Sequence, residues 1–163
     1  MNDWSDLWIR EGINTFGDAL DVRELAGEEA YLKTFQENAL YFENKLPIVQ
    51  GKDLDEEAAY ISDIYGKGAF FMHSLRFIMG DEIFFPALKE FATSPDYTYD
   101  NMINTDDVDN FFSKKYGSSL KPVFDLWLRT TDKLQIHMKR TMGGYVIKFD
   151  NLDMELPLQI VTD

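Results

Sequence analysis

Trp4-Ser5-Asp6-Leu7-Trp8-Ile9-Arg10-Glu11-Gly12 opens the chain, and Tyr60-Ile61-Ser62-Asp63-Ile64-Tyr65-Gly66-Lys67-Gly68 follows about fifty residues later. In the first stretch, Leu7, Trp8 and Glu11 fall within one helical turn, so a carboxylate shares a side with two large apolar groups. A carboxylate in such a place is costly unless it is paired or bound to a metal. On pattern alone Glu11 is a solvated helix residue or a partner of Arg10 or Arg23. Tyr60, Ile64 and Phe71 read on periodicity as core side chains.

Outward from that opening, apolar residues recur at helical spacing over residues 5–26 (Leu7, Trp8, Ile9, Ile13, Phe16, Ala19, Leu20, Leu25), with Gly27 as a C-terminal stop. Residues 28–44 repeat the pattern through Tyr31, Leu32, Phe35, Ala39, Leu40 and Phe42, and their acidic start suits a helix N-terminus. The two form a helical hairpin. Pro47 and Gly51 mark a loop over 45–53, and residues 54–79 are apolar almost throughout, with Gly66 and Gly68 as points of interruption. Asp81 is placed to cap a helix through Ala92, with Pro86 near its first turns. After a loop at 94–104, Thr105 caps a short helix ending near Gly117, and Ser119 opens another, with Pro122 in its first turn, that runs to about Thr130.

Beyond Thr131 the period falls from 3.6 to 2: Leu134, Ile136 and Met138 alternate, Gly143-Gly144 turns the chain, and Tyr145, Ile147 and Phe149 alternate again. Residues 154–161 read as a third strand carrying Pro157, which belongs on an edge or at a bulge. No internal repeat or low-complexity segment interrupts this order.

The 163 residues are 45% apolar and 28% charged, which describes a globular chain large enough for its own core. A net charge of −13 and a pI near 4.5 argue against nucleic acid and anionic membrane as partners. Cysteine is absent, which excludes disulfides, thiolate metal sites and thiol nucleophiles and leaves the compartment undetermined. No run is long and apolar enough for a membrane span, and no targeting signal is recognisable. P-loop, G-x-S-x-G, Rossmann and EF-hand patterns are missing. Asp106, Asp107 and Asp109 read as dipole-compensating acids at a helix start rather than as a calcium site.

The paired motifs resemble those of the gluzincin zinc aminopeptidases, the M1 peptidases of aminopeptidase N and leukotriene hydrolase type. There, D-L-W-x-x-E-G supplies a zinc-binding glutamate and Y-x-K-G a catalytic tyrosine. The resemblance covers residues 3–135, including Leu126-Trp127-Leu128 and the switch to strands. It implies a mainly α fold, a helical bundle forming the C-terminal half of a thermolysin-like catalytic domain (1–131), followed by a short β region that begins a β-sandwich (132–163). It implies Glu11 as zinc ligand, Tyr65 as oxyanion donor, and Tyr60 and Arg10 as lining of the substrate site. Arg10 stands where the family commonly has asparagine.

The family's two zinc histidines, in H-E-x-x-H, precede the glutamate by about 18 residues and would lie upstream of residue 1. His73 and His137 are too far apart to replace them; His73 reads as a core-edge histidine and His137 as a structural or exposed strand residue. A piece of a longer protein is therefore expected, with Met1-Asn2-Asp3 set directly against a dense motif. The expected function is that of a zinc aminopeptidase fragment whose parent acts on peptides, the isolated chain holding zinc weakly and hydrolysing nothing. Apolar surface uncovered by the missing half would favour self-association. The competing reading is an acidic helical interaction module, or a family member that has lost catalysis. Phe70-Phe71, Phe84-Phe85 and Phe111-Phe112 would be its anchors if exposed, although helices that need a core should bury them.

Overall fold

The computed structural model describes residues 3–98 and 101–158. Seven helices and one hairpin make up its regular structure among those residues, apart from a 3-10 turn at Trp4–Asp6. The helices are α1 (Trp8–Ala26), α2 (Glu28–Ala39), α3 (Glu56–Ala59), α4 (Asp63–Met79), α5 (Asp81–Thr93), α6 (Thr105–Tyr116) and α7 (Lys121–Arg129). Strands β1 (Ile136–Thr141) and β2 (Gly144–Phe149) follow, paired antiparallel with Met138 opposite Ile147. The chain is mainly α with a short β region at its end.

The core forms where α1 lies against α4. Trp8 meets Phe71 edge to face at 5.4 Å, and Phe71 meets Phe124 of α7 at 4.7 Å. Phe16 joins Phe84 of α5 at 5.7 Å, and Phe84 stacks on Phe112 of α6 at 6.0 Å. Each of these rings is essentially inaccessible, and burial of one such side chain contributes about 1.5–3 kcal/mol. Of the three phenylalanine pairs, Phe71, Phe84, Phe111 and Phe112 are buried and Phe70 and Phe85 pack against the same core, so none of the pairs forms an exposed anchor.

Gly12 and Gly68 explain the closeness of α1 and α4. A Cβ on Gly12 would stand 2.8 Å from the Gly68 Cα, and one on Gly68 would stand 2.9 Å from the Gly12 Cα. Backbone therefore meets backbone at the crossing, where only glycine fits. Gly66 and Gly68 do not interrupt the helix. The interruption falls earlier, over residues 60–62, where Tyr60 (φ −81°, ψ 65°) follows the end of α3 before α4 begins.

Several boundaries differ from the sequence expectations for local reasons. Helix α2 stops at Ala39 rather than continuing to residue 44. The buried Asp63 carboxylate accepts the backbone N–H groups of Glu43 (3.0 Å) and Asn44 (2.6 Å), and Asn44 takes a positive φ of 47°. These bonds replace the helical ones that residues 40–44 give up.

Asn104, not Thr105, caps α6, in a reciprocal capping box with Asp107. Thr105 instead joins a buried node: its hydroxyl donates to Asp6 Oδ1 (2.7 Å) and accepts from Trp8 Nε1 (2.9 Å). Gly80 rather than Asp81 is the cap of α5; Asp81 lies in the first turn and receives two hydrogen bonds from Arg76. Leu120, not Ser119, precedes α7.

Residues 154–158 form no strand, and the remainder of that expected strand, 159–161, lies outside the described residues. Leu152 is buried, and Met154 and Leu156 pack back on the helical core, so this segment follows the core surface instead of a strand edge. No helix among the described residues is long and apolar enough to cross a membrane.

Candidate functional site

Glu11 lies in the first turn of α1, where the helix dipole favours a negative charge. Its side chain is only 12% exposed. Arg10, on the same turn, reaches back with Nε (2.8 Å) and Nη2 (2.6 Å) to a single carboxylate oxygen, Oε1. Tyr60, at the end of α3, donates its hydroxyl to that oxygen at 3.3 Å and accepts from Arg10 Nη2 at 3.3 Å. Three donors thus converge on Oε1, and Oε2 has no protein donor among the described residues.

Tyr65 enters from the first turn of α4, its ring 6.4 Å from that of Tyr60. Both phenols remain partly open, at 37% and 41% exposure. Partial desolvation, the neighbouring Tyr60 hydroxyl and the Glu11 charge push the Tyr65 hydroxyl above its ordinary range. A phenol so placed keeps its proton at neutral pH and is available as a hydrogen-bond donor. Arg10, held against Glu11, is pushed further toward permanent charge.

The fold thus brings together all four residues singled out from the sequence: Glu11, Arg10, Tyr60 and Tyr65. The glycine crossing does the bringing. Gly12 follows Glu11 directly and Gly68 lies three residues past Tyr65, so contact between the glycines sets the spacing of the side chains beside them.

The histidines lie elsewhere. His73 stacks on Phe35 at 4.5 Å and bonds through Nδ1 to the Tyr31 hydroxyl at 2.8 Å, and burial, with help from Arg76, lowers its pKa to about 4. His137 is exposed on β1, 3.0 Å from Asp150. Asp106 pairs with Arg129, Asp107 completes the capping box, and Asp109 accepts from the Ser113 hydroxyl at 2.8 Å, so the three acids serve separate local partners.

The donors at hand fit a zinc ion only in part. Among the described residues no group of three or more His, Cys, Asp or Glu side chains converges. Glu11 offers one unclaimed carboxylate oxygen, which suits one arm of a tetrahedral site and cannot close it.

Lys67 is a residue whose place the sequence did not disclose. Its buried ammonium donates to Asn44 Oδ1 (2.8 Å) and to the Thr130 carbonyl (3.2 Å), and desolvation lowers its pKa. The lysine of the Y-x-K-G segment therefore faces away from Tyr65's partners and ties α4 to the end of α7. A cleft of about 570 Å³ opens beside it, bordered by Phe42, Phe70, Trp127 and Leu134.

The chain is similar to the probable aminopeptidase 2 of Sulfurisphaera tokodaii, 28% identical over 135 residues, a match covering 77% of this chain and 16% of that protein. It therefore spans about a sixth of the length of the curated relative. The family model described as the peptidase family M1 domain matches residues 1–127, from the opening motif into α7. The chain belongs to peptidase family M1.

Proposed function

We propose that this chain is part of the catalytic domain of a zinc aminopeptidase, residues 1–131, with residues 132–163 beginning a separate β region. In this reading the parent protein removes N-terminal residues from peptides. Glu11 supplies one zinc ligand, Tyr65 donates to the developing oxyanion, and Tyr60 and Arg10 line the substrate side. The observation that carries it is the convergence of Glu11, Tyr60 and Tyr65 from α1 and the α3–α4 junction, in a chain of the M1 family.

Zinc, when bound, polarises the scissile carbonyl as a Lewis acid. The chain's own part is narrower. Tyr65, protonated at neutral pH, aims a donor at the site, and a fixed donor to an oxyanion is worth about 10²–10³ in rate. Glu11 is held in one orientation by Arg10 and Tyr60. With one metal donor, the isolated chain holds zinc weakly and does not hydrolyse peptides. The apolar surface that a missing half would cover favours self-association of the isolated chain.

The test uses the full-length parent and an aminoacyl reporter substrate. Glu11→Ala removes zinc-dependent activity, and Tyr65→Phe lowers kcat by about 10²–10³ with a smaller change in KM. Full activity in Glu11→Ala refutes the zinc role of Glu11, and an unchanged kcat in Tyr65→Phe refutes the oxyanion role of Tyr65. One tight zinc per isolated chain in a metal titration would contradict the single-donor reading.

A further inference from the structure

Lys67 is 8% exposed and carries a positive charge, yet both groups that bind its ammonium are neutral: Asn44 Oδ1 at 2.8 Å and the Thr130 carbonyl at 3.2 Å. A buried ammonium is normally matched by a carboxylate, because desolvating an unmatched charge is costly. The carboxylate whose charge reaches it, Asp63, is already taken up by the backbone N–H groups of Glu43 and Asn44. An ammonium has three hydrogens to donate, and two are used among the described residues.

Lys67 and Asn44 both border the cleft of about 570 Å³, a volume within the range of small-molecule sites. Phe42 and Asn44 come to it from the turn after α2, Lys67 and Phe70 from one side of α4, Trp127 from α7 and Leu134 from the approach to β1. The four apolar side chains are half-buried, so part of each remains open to a partner. Asn44 is fixed by its own bonds to the Thr131 carbonyl and Asp63, and so holds the ammonium at the wall of the cleft. Glu43 and Asp132 also border it, but both are exposed, and Glu43 is paired with Lys45 at 2.9 Å. Water and salt screen exposed charges far more than a buried one. Lys67 therefore sets the sign that the interior of the cleft prefers.

We propose that this cleft is a second ligand site that takes a carboxylate with an apolar body, the carboxylate on the Lys67 ammonium and the body against Phe42, Phe70, Trp127 and Leu134. Such a ligand supplies the counter-charge that Asp63 does not bring into contact. The site draws on no residue of the Glu11 cluster, so it stands independently of the zinc reading.

The probe is phenylbutyrate, compared with its neutral amide by calorimetric titration of the full-length parent. The acid binds about 10- to 100-fold more tightly than the amide, Lys67→Met abolishes that preference, and Trp127→Ala weakens both compounds. Equal affinity for acid and amide in the unsubstituted protein overturns the proposal, whether or not Lys67→Met folds. So does an acid preference that survives in a folded Lys67→Met, or the absence of binding at millimolar concentration. Glu11→Ala leaves the preference intact; its loss there assigns the acid to the Glu11 cluster and overturns the cleft as its site. The same titration of the 163-residue chain is followed through Trp127 fluorescence. Binding to this chain but not to the parent shows that another part of the parent fills the cleft, which also overturns the proposal.

Discussion

Gly12 and Gly68 touch backbone to backbone where α1 crosses α4, leaving no room for a methyl group on either. Alanine at either position must push the helices apart, at a cost of about 1–3 kcal/mol, which its better helix propensity offsets only in part. Gly17 supplies the control. It lies inside α1 with no neighbouring atom within 4 Å of the place a Cβ would take, so Gly17→Ala stabilises by about 0.5–1 kcal/mol. Urea unfolding of the three variants checks the signs, and a stabilised Gly12→Ala would refute the crossing.

Thr105→Val tests the buried node between the start of the chain and α6. Valine keeps the shape but leaves Trp8 Nε1 without its acceptor and removes one bond to Asp6. The expected loss is about 2–3 kcal/mol, whereas Thr105→Ser keeps the hydroxyl and loses much less. Equal stability of the two variants in chemical denaturation would show that the hydroxyl is unimportant.

His73 should make stability fall in mild acid. Its folded value, about 4, lies below the ordinary value of 6.5, so the unfolded chain binds the extra proton between those limits. Stability from this group is complete above about pH 6.5 and declines as pH falls toward 4, by on the order of 2–3 kcal/mol. His73→Gln flattens that window. A denaturation midpoint with the same pH slope in both proteins would refute the assignment.

Arg76 joins three helices: it pairs with Asp81 of α5, bonds to Glu28 of α2 at 3.0 Å, and lies over the Tyr31 ring at 4.8 Å. Its side chain is 9% exposed. Arg76→Ala should cost about 1–3 kcal/mol, since it removes a buried guanidinium and uncovers Tyr31, while Glu28 and Asp81 keep Arg23 as a partner. Arg76→Lys should recover little, because an ammonium cannot make the paired contact with Asp81. A thermal melt in which lysine restores the parent midpoint would count against the forked geometry.

The helices and the site were legible to different depths. Periodicity marked the cores of α1 and α2, where Trp8, Phe16, Tyr31 and Phe35 recur at the spacing of a buried face, while an almost continuous apolar run marked α4 and cap and proline signals marked α5–α7. The motif residues Glu11, Tyr60 and Tyr65 could be named in advance only through the resemblance of their short motifs to those of the M1 peptidases; on pattern alone Glu11 reads as solvated or paired and Tyr60 as a core side chain, whereas Tyr60 is 41% exposed. What stayed hidden depends on distant partners. Asp63 ends α2 by capturing amides twenty residues away. Thr105 looked like a cap because nothing nearby revealed that Asp6 and Trp8 would claim its hydroxyl. Gly68 looked like a break because a glycine chosen for contact with another helix is indistinguishable, in one dimension, from one that ends a helix.

Lys67 gives the site an unequal suspension. Through its hold on the Thr130 carbonyl and Asn44, which in turn binds the Thr131 carbonyl at 2.7 Å, the helix bearing Tyr65 is moored to the point where the chain leaves its helical body for the hairpin. The helix bearing Glu11 is moored at the opposite end of the sequence order, by Asp6 and Trp8, to the start of α6. The gap between carboxylate and phenol is fixed at the Gly12–Gly68 crossing, and these two anchorages steady the helices that meet there from opposite ends of the chain order.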